Sequence, residues 1–580
     1  MKSGFKSLLS VAVLAGAGSF SYAAQAEDKV CFYEHPEYTG AEWCYTPGNV
    51  GWIGSSRNDK VSSIKTYGKA YAEIFEHGSY GGKRTNIMGN TYKMDDLNDG
   101  ISSFKVKLRP NDDFVCLFEH PGFRGTPHCL AAGQSEDDLN HVAQGRNKAS
   151  SITVSGNAAA TIYEYPGFRT DKKYTTLNRS SSNLDKRPGG WVEDNADSFK
   201  VFTQSMSSTE AAIDINDALA AKAPVRQANV LGSHNAFNST AYFGGQLIPG
   251  PNHRRALIEQ LQLGVRTFEL DIRGGGSKTK VCHSTDCSFD SATTSLRRML
   301  GEVDTWLKGA DSNDAVFFFL QDDMDGDSNG YKQLQKDVAW MGDIVYTSGA
   351  CKSLPKPFKL EDMIAQGKRV FFYKSGGSNG CDLAPSVHIN FESNIGVAGI
   401  NIYQNHFNTS KFLRSQECHN NFCSDTISGP DAKIGLEHGV NTFGLDMLEE
   451  SSIDNKGASL NAQLWAIGPE DTYSSHANGR TVRFTVSGDR YMKLSWNSQK
   501  QFACRLTDGN WAVTTATGDV WTGGSKCSAE FPGSTYDVPL SAYEAKKLRA
   551  KLTSGSDIHV NFGTSSGRWV PGRWGSLGAR

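Results

Sequence analysis

A chain of 580 residues is too long for a single hydrophobic core, so several domains are expected. Its 60 lysines and arginines against 62 acids leave a net charge of −2, which gives no footprint for nucleic acid. After the first residues no apolar run is long enough to span a bilayer, so no transmembrane anchor is expected. The chain starts with Lys2 and Lys6, the apolar stretch LLSVAVLAGAGSF, and Ala24-Gln25-Ala26. That is the pattern of a signal peptide, 1–26, cleaved after Ala26, and it predicts a secreted, soluble protein. The 12 cysteines fit an oxidising compartment. Cys31 and Cys44 have the same spacing as Cys116 and Cys129; Cys282/Cys287, Cys418/Cys423 and Cys504/Cys527 are further near pairs. With no CxxC pair present, disulfides are preferred to metal binding.

The next stretch is a repeat. Tyr33 to Gly40 recurs at Phe75 to Gly82, at Phe118 to Gly125 and, with Thr170 for the last glycine, at Tyr163 to Thr170. Each copy reads aromatic, four residues, aromatic, one residue, glycine. Downstream of each stands a serine-ended element: NDKVSSIK, NDGISSFK, RNKASSIT and EDNADSFK. Aromatic corners with glycine at a tight backbone fold point to Greek-key strands. The pattern resembles the βγ-crystallin fold, which implies two all-β Greek-key domains, 27–109 and 112–204. In that family the N/D-N/D-x-x-S/T-S element binds calcium. Asn58, Asp59 and Ser62, and Asn98, Asp99 and Ser102, match it in full. The third copy has Arg146 where an acid or amide belongs, and the fourth has Asp197 in place of the first serine. A hard cation needs several oxygens, so the resemblance implies calcium in the first domain and not the second. The same residues also form turns without any metal.

Residues 205–223 are rich in Ser, Ala and Asp and read as a linker or a short helix. Beyond them, NVLGSHNAFNS, HRRALIEQLQLG and VRTFELDIRGGG read as strand, helix and strand, with Leu257, Ile258, Leu261 and Leu263 at helical spacing. That order is a βαβ unit with parallel strands. Period two puts Glu269, Asp271 and Arg273 on one face of the second strand. A buried parallel strand is normally apolar throughout, so charges converging on its end imply a site. His234 follows the first strand and His283 follows the turn after the charged one, where a parallel barrel carries its active site. AVFFFLQDDMD, KRVFFYKSGG and NTFGLDML read as further strands ending in Gln321 and Asp322, in Lys374 and in Asp446.

GSHN, ELDIR and CHS together resemble the X region of phosphatidylinositol-specific phospholipase C and its bacterial phosphodiesterase relatives. The resemblance covers about 223–469 and implies a TIM-type α/β barrel at 224–469. It makes His234 the base that activates the inositol 2-hydroxyl and His283 the acid that protonates the departing diacylglycerol oxygen. Asp446 is then the carboxylate orienting the base. Calcium-dependent relatives hold their metal with residues matching Asn235, Glu269 and Asp271, and here Gln321 stands near the place of a further glutamate. Metal-free relatives use D-x-R, which Asp271 and Arg273 match. Both patterns are present, and the divalent metal is preferred.

From 470 to 580 the text changes to TVRFTVS, YMKLSW, FACRLTDGNWAVTT and DIHVNFG with a helical LSAYEAKKLRAKL, a small β-rich domain. Its Trp496, Trp511, Trp521, Trp569 and Trp574 are core residues or a contact for glycan or lipid. The whole reading is a multidomain secreted phosphoric diester hydrolase acting on phospholipid at a membrane surface. Its alternatives are a phosphodiesterase of the same barrel acting on sphingomyelin or glycerophosphodiesters, and a binding or adhesion protein with an inactive barrel.

Overall fold

The computed structural model describes residues 27–95, 97–185, 190–243, 251–282, 287, 294–310, 314–355, 357–375, 377–389, 429–447, 461, 463–471, 480–485, 490–495, 498–553, 555–565 and 568–574. The signal peptide, His283, Trp496, and Cys418 with Cys423 lie outside them. Among the described residues no helix is long and apolar enough to cross a membrane. Disulfides join Cys31 to Cys44, Cys116 to Cys129, Cys282 to Cys287, Cys351 to Cys381 and Cys504 to Cys527.

The repeat is a recurring folded hairpin with one hydrogen-bond recipe. The last serine of each downstream element donates its hydroxyl to the carbonyl of His35, His77, His120 or Tyr165, at 2.6, 2.6, 2.6 and 2.7 Å. The same hydroxyl accepts from the backbone N–H of the second aromatic: Tyr38 to Ser63, Tyr80 to Ser103, Phe123 to Ser151 and Phe168 to Ser198. The hairpin folds over because Tyr38, Tyr80, Phe123 and Phe168 all sit at positive φ. One serine side chain thus satisfies two backbone groups that a sharp bend leaves unpaired. This is why aromatic spacing and serine recur together.

Pairs of hairpins make two β-sheet modules, and each exchanges a strand between its sheets. In the first module Gly48–Val50 leaves the sheet of its own hairpin, Lys29–His35 and Thr39–Tyr45, to pair with Ser103–Leu108. In the second, Ser135–Glu136 likewise pairs with Ser198–Thr203. That exchange is a Greek-key arrangement, as the repeat predicts.

The segment read as a linker or a short helix is helix α1, Ser208–Lys222. Ser207 caps it and Glu210 closes the capping box, while Ile213, Ile215, Ala218 and Leu219 are buried. Small apolar residues let it lie close against the sheet domain, where its Asp217 pairs with buried Arg266 at 2.7 Å.

The central region is a run of parallel strands: β1 Val230–Ser233, β2 Val265–Arg273, β3 Val316–Asp322, β4 Val370–Lys374, β5 Val387–His388 and β6 Thr442–Gly444. Their order is β6-β1-β2-β3-β4-β5, all parallel. Helices α2 Leu257–Leu261, α3 Leu296–Leu307 and α4 Ser328–Ala339 belong to the same region. The stretch 390–428 between β5 and β6 is outside the described residues. The C-terminal region forms a four-stranded antiparallel sheet and a three-stranded one, with the predicted helix at Ala542–Arg549.

The modules are not beads on a string. Tyr38, Met88, Phe114, Phe118 and Phe123 share one buried cluster with Leu296, Met299 and Leu300 of α3 and with Trp340. Lys65 lies wholly inside this contact, its ammonium 3.7 Å from the Trp340 ring and 4.3 Å from the Tyr67 ring. Burial, only partly opposed by Asp304, pulls its pKa down from 10.5 to about 7. Between those values the unfolded chain binds the proton that the folded one has lost, so stability rises with pH across that window. Denaturant melts at pH 7 and pH 10 check this: the gain on raising the pH is expected to shrink in Lys65→Met.

Candidate active site at the strand ends

The candidate residues come together because parallel strands end on one side. β1 runs into His234 and Asn235, β2 carries Glu269, Asp271 and Arg273, β3 ends in Gln321 and Asp322, β4 in Lys374, and β6 is followed by Asp446. Asp446 sits in a 3-10 turn after β6 rather than at the strand's last residue, since that strand stops at Gly444.

His234 is held by its Nδ1, 3.1 Å from Asp446 Oδ2. Its Nε2 lies 3.4 Å from Glu269 Oε2. Burial works against the imidazolium, but Asp446, Glu269 and Asp271 outweigh it and raise its pKa to about 9. Asn235, at φ +46 and buried, donates its backbone N–H to Glu269 Oε2 at 3.2 Å. Glu269 and Asp271 are only 2% and 1% exposed. Burial and the neighbouring charges of Glu269 and Asp323 push the Asp271 pKa up to about 8. Its Oδ1 is buried without a hydrogen-bond partner.

Three features escape a reading of spacing alone. Arg273 turns to Asp323, 2.8 Å from its Nη2. Asp322 is bound by Lys374 Nζ at 2.6 Å and by the Tyr331 hydroxyl at 2.8 Å, with both ionic side chains buried. Asp322 is therefore engaged, and Gln321, which is paired in register with Asp271, is the residue of β3 beside the carboxylates. The signal was the doublet Asp322-Asp323 at the strand's end: Asp322, the last strand residue, reaches Lys374, and Asp323, just beyond it, reaches Arg273. His253 is the third; its Nε2 lies 2.7 Å from the His234 carbonyl and 3.0 Å from Ser233 Oγ, bracing the end of β1.

In the modules, the second residue of every serine-ended element, Asp59, Asp99, Asn147 and Asp194, has positive φ. Asn and Asp tolerate that conformation, so this position is explained by the backbone in all four copies. What differs is the first position. Asn58 and Asn98 each donate to the following aspartate, at 2.5 and 3.1 Å. Arg146 instead brings its own positive charge and pairs with Asp138. Among the described residues Glu136, Asp137 and His141 are also grouped, but Glu136 is already paired with Arg84 at 3.1 Å.

Residues 20–87 and 111–175 match the model of peptidase inhibitor family I36. Two uncharacterized proteins of Mycobacterium tuberculosis, from strains H37Rv and CDC 1551, are each 21% identical over 401 residues, covering 61% of this chain and 77% of theirs. Among solved structures, a βγ-crystallin domain from Flavobacterium johnsoniae is 23% identical over 14% of this chain and 97% of its own, with a TM-score of 0.14. Protein S complexed with calcium is 17% identical over 30% of this chain and 99% of its own, with a TM-score of 0.21. The N-terminal modules are β-sheet domains similar to βγ-crystallins.

Proposed function

We propose that the chain is a phosphodiesterase of the phosphatidylinositol-specific phospholipase C type, built on a closed TIM-type barrel at 224–469 and acting on phospholipid. The observation that carries this reading is the part-buried His234–Asp446 pair beside the buried carboxylates of Glu269 and Asp271. The barrel is supported by strand order, since β6, the last described parallel strand, pairs with β1, the first. Asp446 fixes the imidazole through Nδ1, leaving Nε2 as the nitrogen that takes the inositol 2-hydroxyl proton. The freed oxygen attacks phosphorus, the bond to the diacylglycerol oxygen breaks, and that oxygen takes a proton from His283.

The residues fit a hard divalent cation such as calcium. Asn235, Glu269, Asp271 and Gln321 offer oxygens, and the buried Asp271 Oδ1 has no hydrogen-bond partner. Bound there, the ion would supply positive charge for the phosphate. Glu269 and Asp271 are two of the charges that hold His234 protonated, so their neutralisation favours the uncharged imidazole that a base requires.

Headgroup release from a panel of phospholipids, with and without chelator, tests the function. Cyclic inositol phosphate supports it; phosphocholine or glycerol phosphate moves the enzyme to sphingomyelin or glycerophosphodiesters; no release from any of them leaves a binding or adhesion protein. A second reading, for the modules alone, rests on their match to peptidase inhibitor family I36. Inhibition assays against a peptidase panel decide it.

The first module is proposed to bind calcium through Asn58, Asp59 and Ser62 and through Asn98, Asp99 and Ser102. Calcium at a hundredfold excess over Kd is expected to stabilise the full chain by about 2.7 kcal/mol per site. Thermal melts of Asn58→Ala with Asn98→Ala should lose that increment, while Arg146→Ala should not.

A further inference from the structure

We infer that the aromatic corner of the first module, Pro36–Tyr38, is a positioning element for the loop that leads from β2 to His283. This rests on the phosphodiesterase reading above for its catalytic consequence, but not for its geometry. The loop opens with Gly274, Gly275 and Gly276, the last at φ +71. Three glycines offer no side chains to hold a turn and give the backbone wide freedom, so its course depends on what grips the far end.

Two grips come from the module side. Glu37 Oε2 pairs with Lys278 Nζ at 2.7 Å, with the carboxylate 18% and the ammonium 31% exposed. The second is a relay. The Tyr38 carbonyl accepts from Arg297 Nη1, Arg297 Nε donates to Asp337 Oδ1 at 2.7 Å, and Asp337 Oδ2 accepts the Thr279 backbone N–H at 2.8 Å. Asp337 is fully buried, so its charge depends on these donors and on Gln333. From Thr279 the chain forms the short strand Lys280–Val281 against Ile272 and Arg273, and the Cys282 N–H bonds the Asp271 carbonyl at 3.1 Å. His283 is the next residue.

The corner is itself fixed. Glu37 and Tyr38 both hold positive φ, and the Glu37 N–H donates to the Tyr92 carbonyl at 2.6 Å. Tyr38 is 1% exposed and packs on Trp340 with ring centroids 4.6 Å apart. Gly301 of α3 makes room for it: a Cβ there would lie 2.8 Å from the Tyr38 hydroxyl. A rigid module corner thus adds two grips to a glycine-led loop whose far end is paired with β2. Glu37, Arg297 and Asp337 are positioning residues, and none needs to touch substrate.

The test uses the full chain with two readouts, hydrogen exchange over 274–282 and steady-state turnover of an inositol phospholipid. Glu37→Gln and Arg297→Gln are expected to speed exchange of that segment severalfold while segments in β3 and β4 stay protected. A small misplacement of a catalytic group costs up to roughly a hundredfold, so kcat should fall by about ten- to a hundredfold with KM little changed. The exchanged pair Glu37→Lys with Lys278→Glu should restore both readouts. Unchanged exchange in both single variants overturns the inference. So does faster exchange that leaves kcat intact, or that the exchanged pair fails to restore. If the native chain turns over no phospholipid, the functional reading fails, and the exchange rates still decide whether the corner holds the loop.

Discussion

His234→Ala is expected to lower turnover of a diacyl inositol lipid by about 100- to 10,000-fold, the usual contribution of a positioned acid or base, while the chain still unfolds cooperatively. The side chain is 12% exposed, so it can meet substrate from a largely enclosed position. Asp446→Asn is the sharper companion. The amide keeps the size of the carboxylate but removes the charge that orients the ring and holds its proton. It should cut kcat strongly and bring the imidazole pKa down. The pH–rate profile of kcat/KM reports that shift directly, and a profile unmoved by Asp446→Asn would remove Asp446 from its role. His283→Ala should lose less on a substrate with a good leaving group, because an acid matters less where the departing oxygen is already stable. Near-native rates in both histidine variants would sink the acid–base assignment.

What could be read from the sequence was local. The alternation of Glu269, Asp271 and Arg273 through a buried strand was visible because strand periodicity is two. The folded hairpins were visible because their corner needs an aromatic, a positive φ and a serine at fixed offsets. What stayed hidden depends on partners far away in the chain. Lys65 sits in SSIKTY and looks like a solvent-facing strand lysine, yet that face of the module is covered by Trp340. The Ala-rich stretch before the sheet domain left helix and linker both open, and its burial against neighbouring elements, added to the capping box of Ser207 and Glu210, settles it as a helix. Lys374 and Asp322 each looked like a site residue at a strand end. Side by side they neutralise one another, which leaves Gln321 rather than Asp322 as the β3 residue beside the carboxylates.

The largest remaining effect separates two ways of meeting the phosphate charge. If a divalent cation does so, exhaustive chelation and Asp271→Asn should each cost about 100- to 1,000-fold in kcat, the range seen when a charge-stabilising group is removed. Gln321→Glu should then tighten metal binding, because a carboxylate is a stronger ligand for a hard cation than an amide. Arg273→Ala should cost less, since the guanidinium is turned to Asp323 at 2.8 Å. Isothermal titration with calcium on the native chain and on Gln321→Glu measures the tightening without relying on activity. If Arg273 carries the phosphate instead, it must leave Asp323 to make a bidentate contact, and Asp323→Asn would ease that movement. Chelation would then be harmless, and Arg273→Ala would be far worse than Glu269→Ala. The metal is favoured because the buried Asp271 Oδ1 has no hydrogen-bond partner and His234 and Arg273 only partly offset the burial of its carboxyl. Asp271 is driven up to about 8 with Arg273 only a minor opposing influence. Two neighbouring acids sharing a buried site are stable together only if one stays protonated or a cation joins them. Activity that survives chelation and disappears with Arg273 would put the protonated alternative in its place.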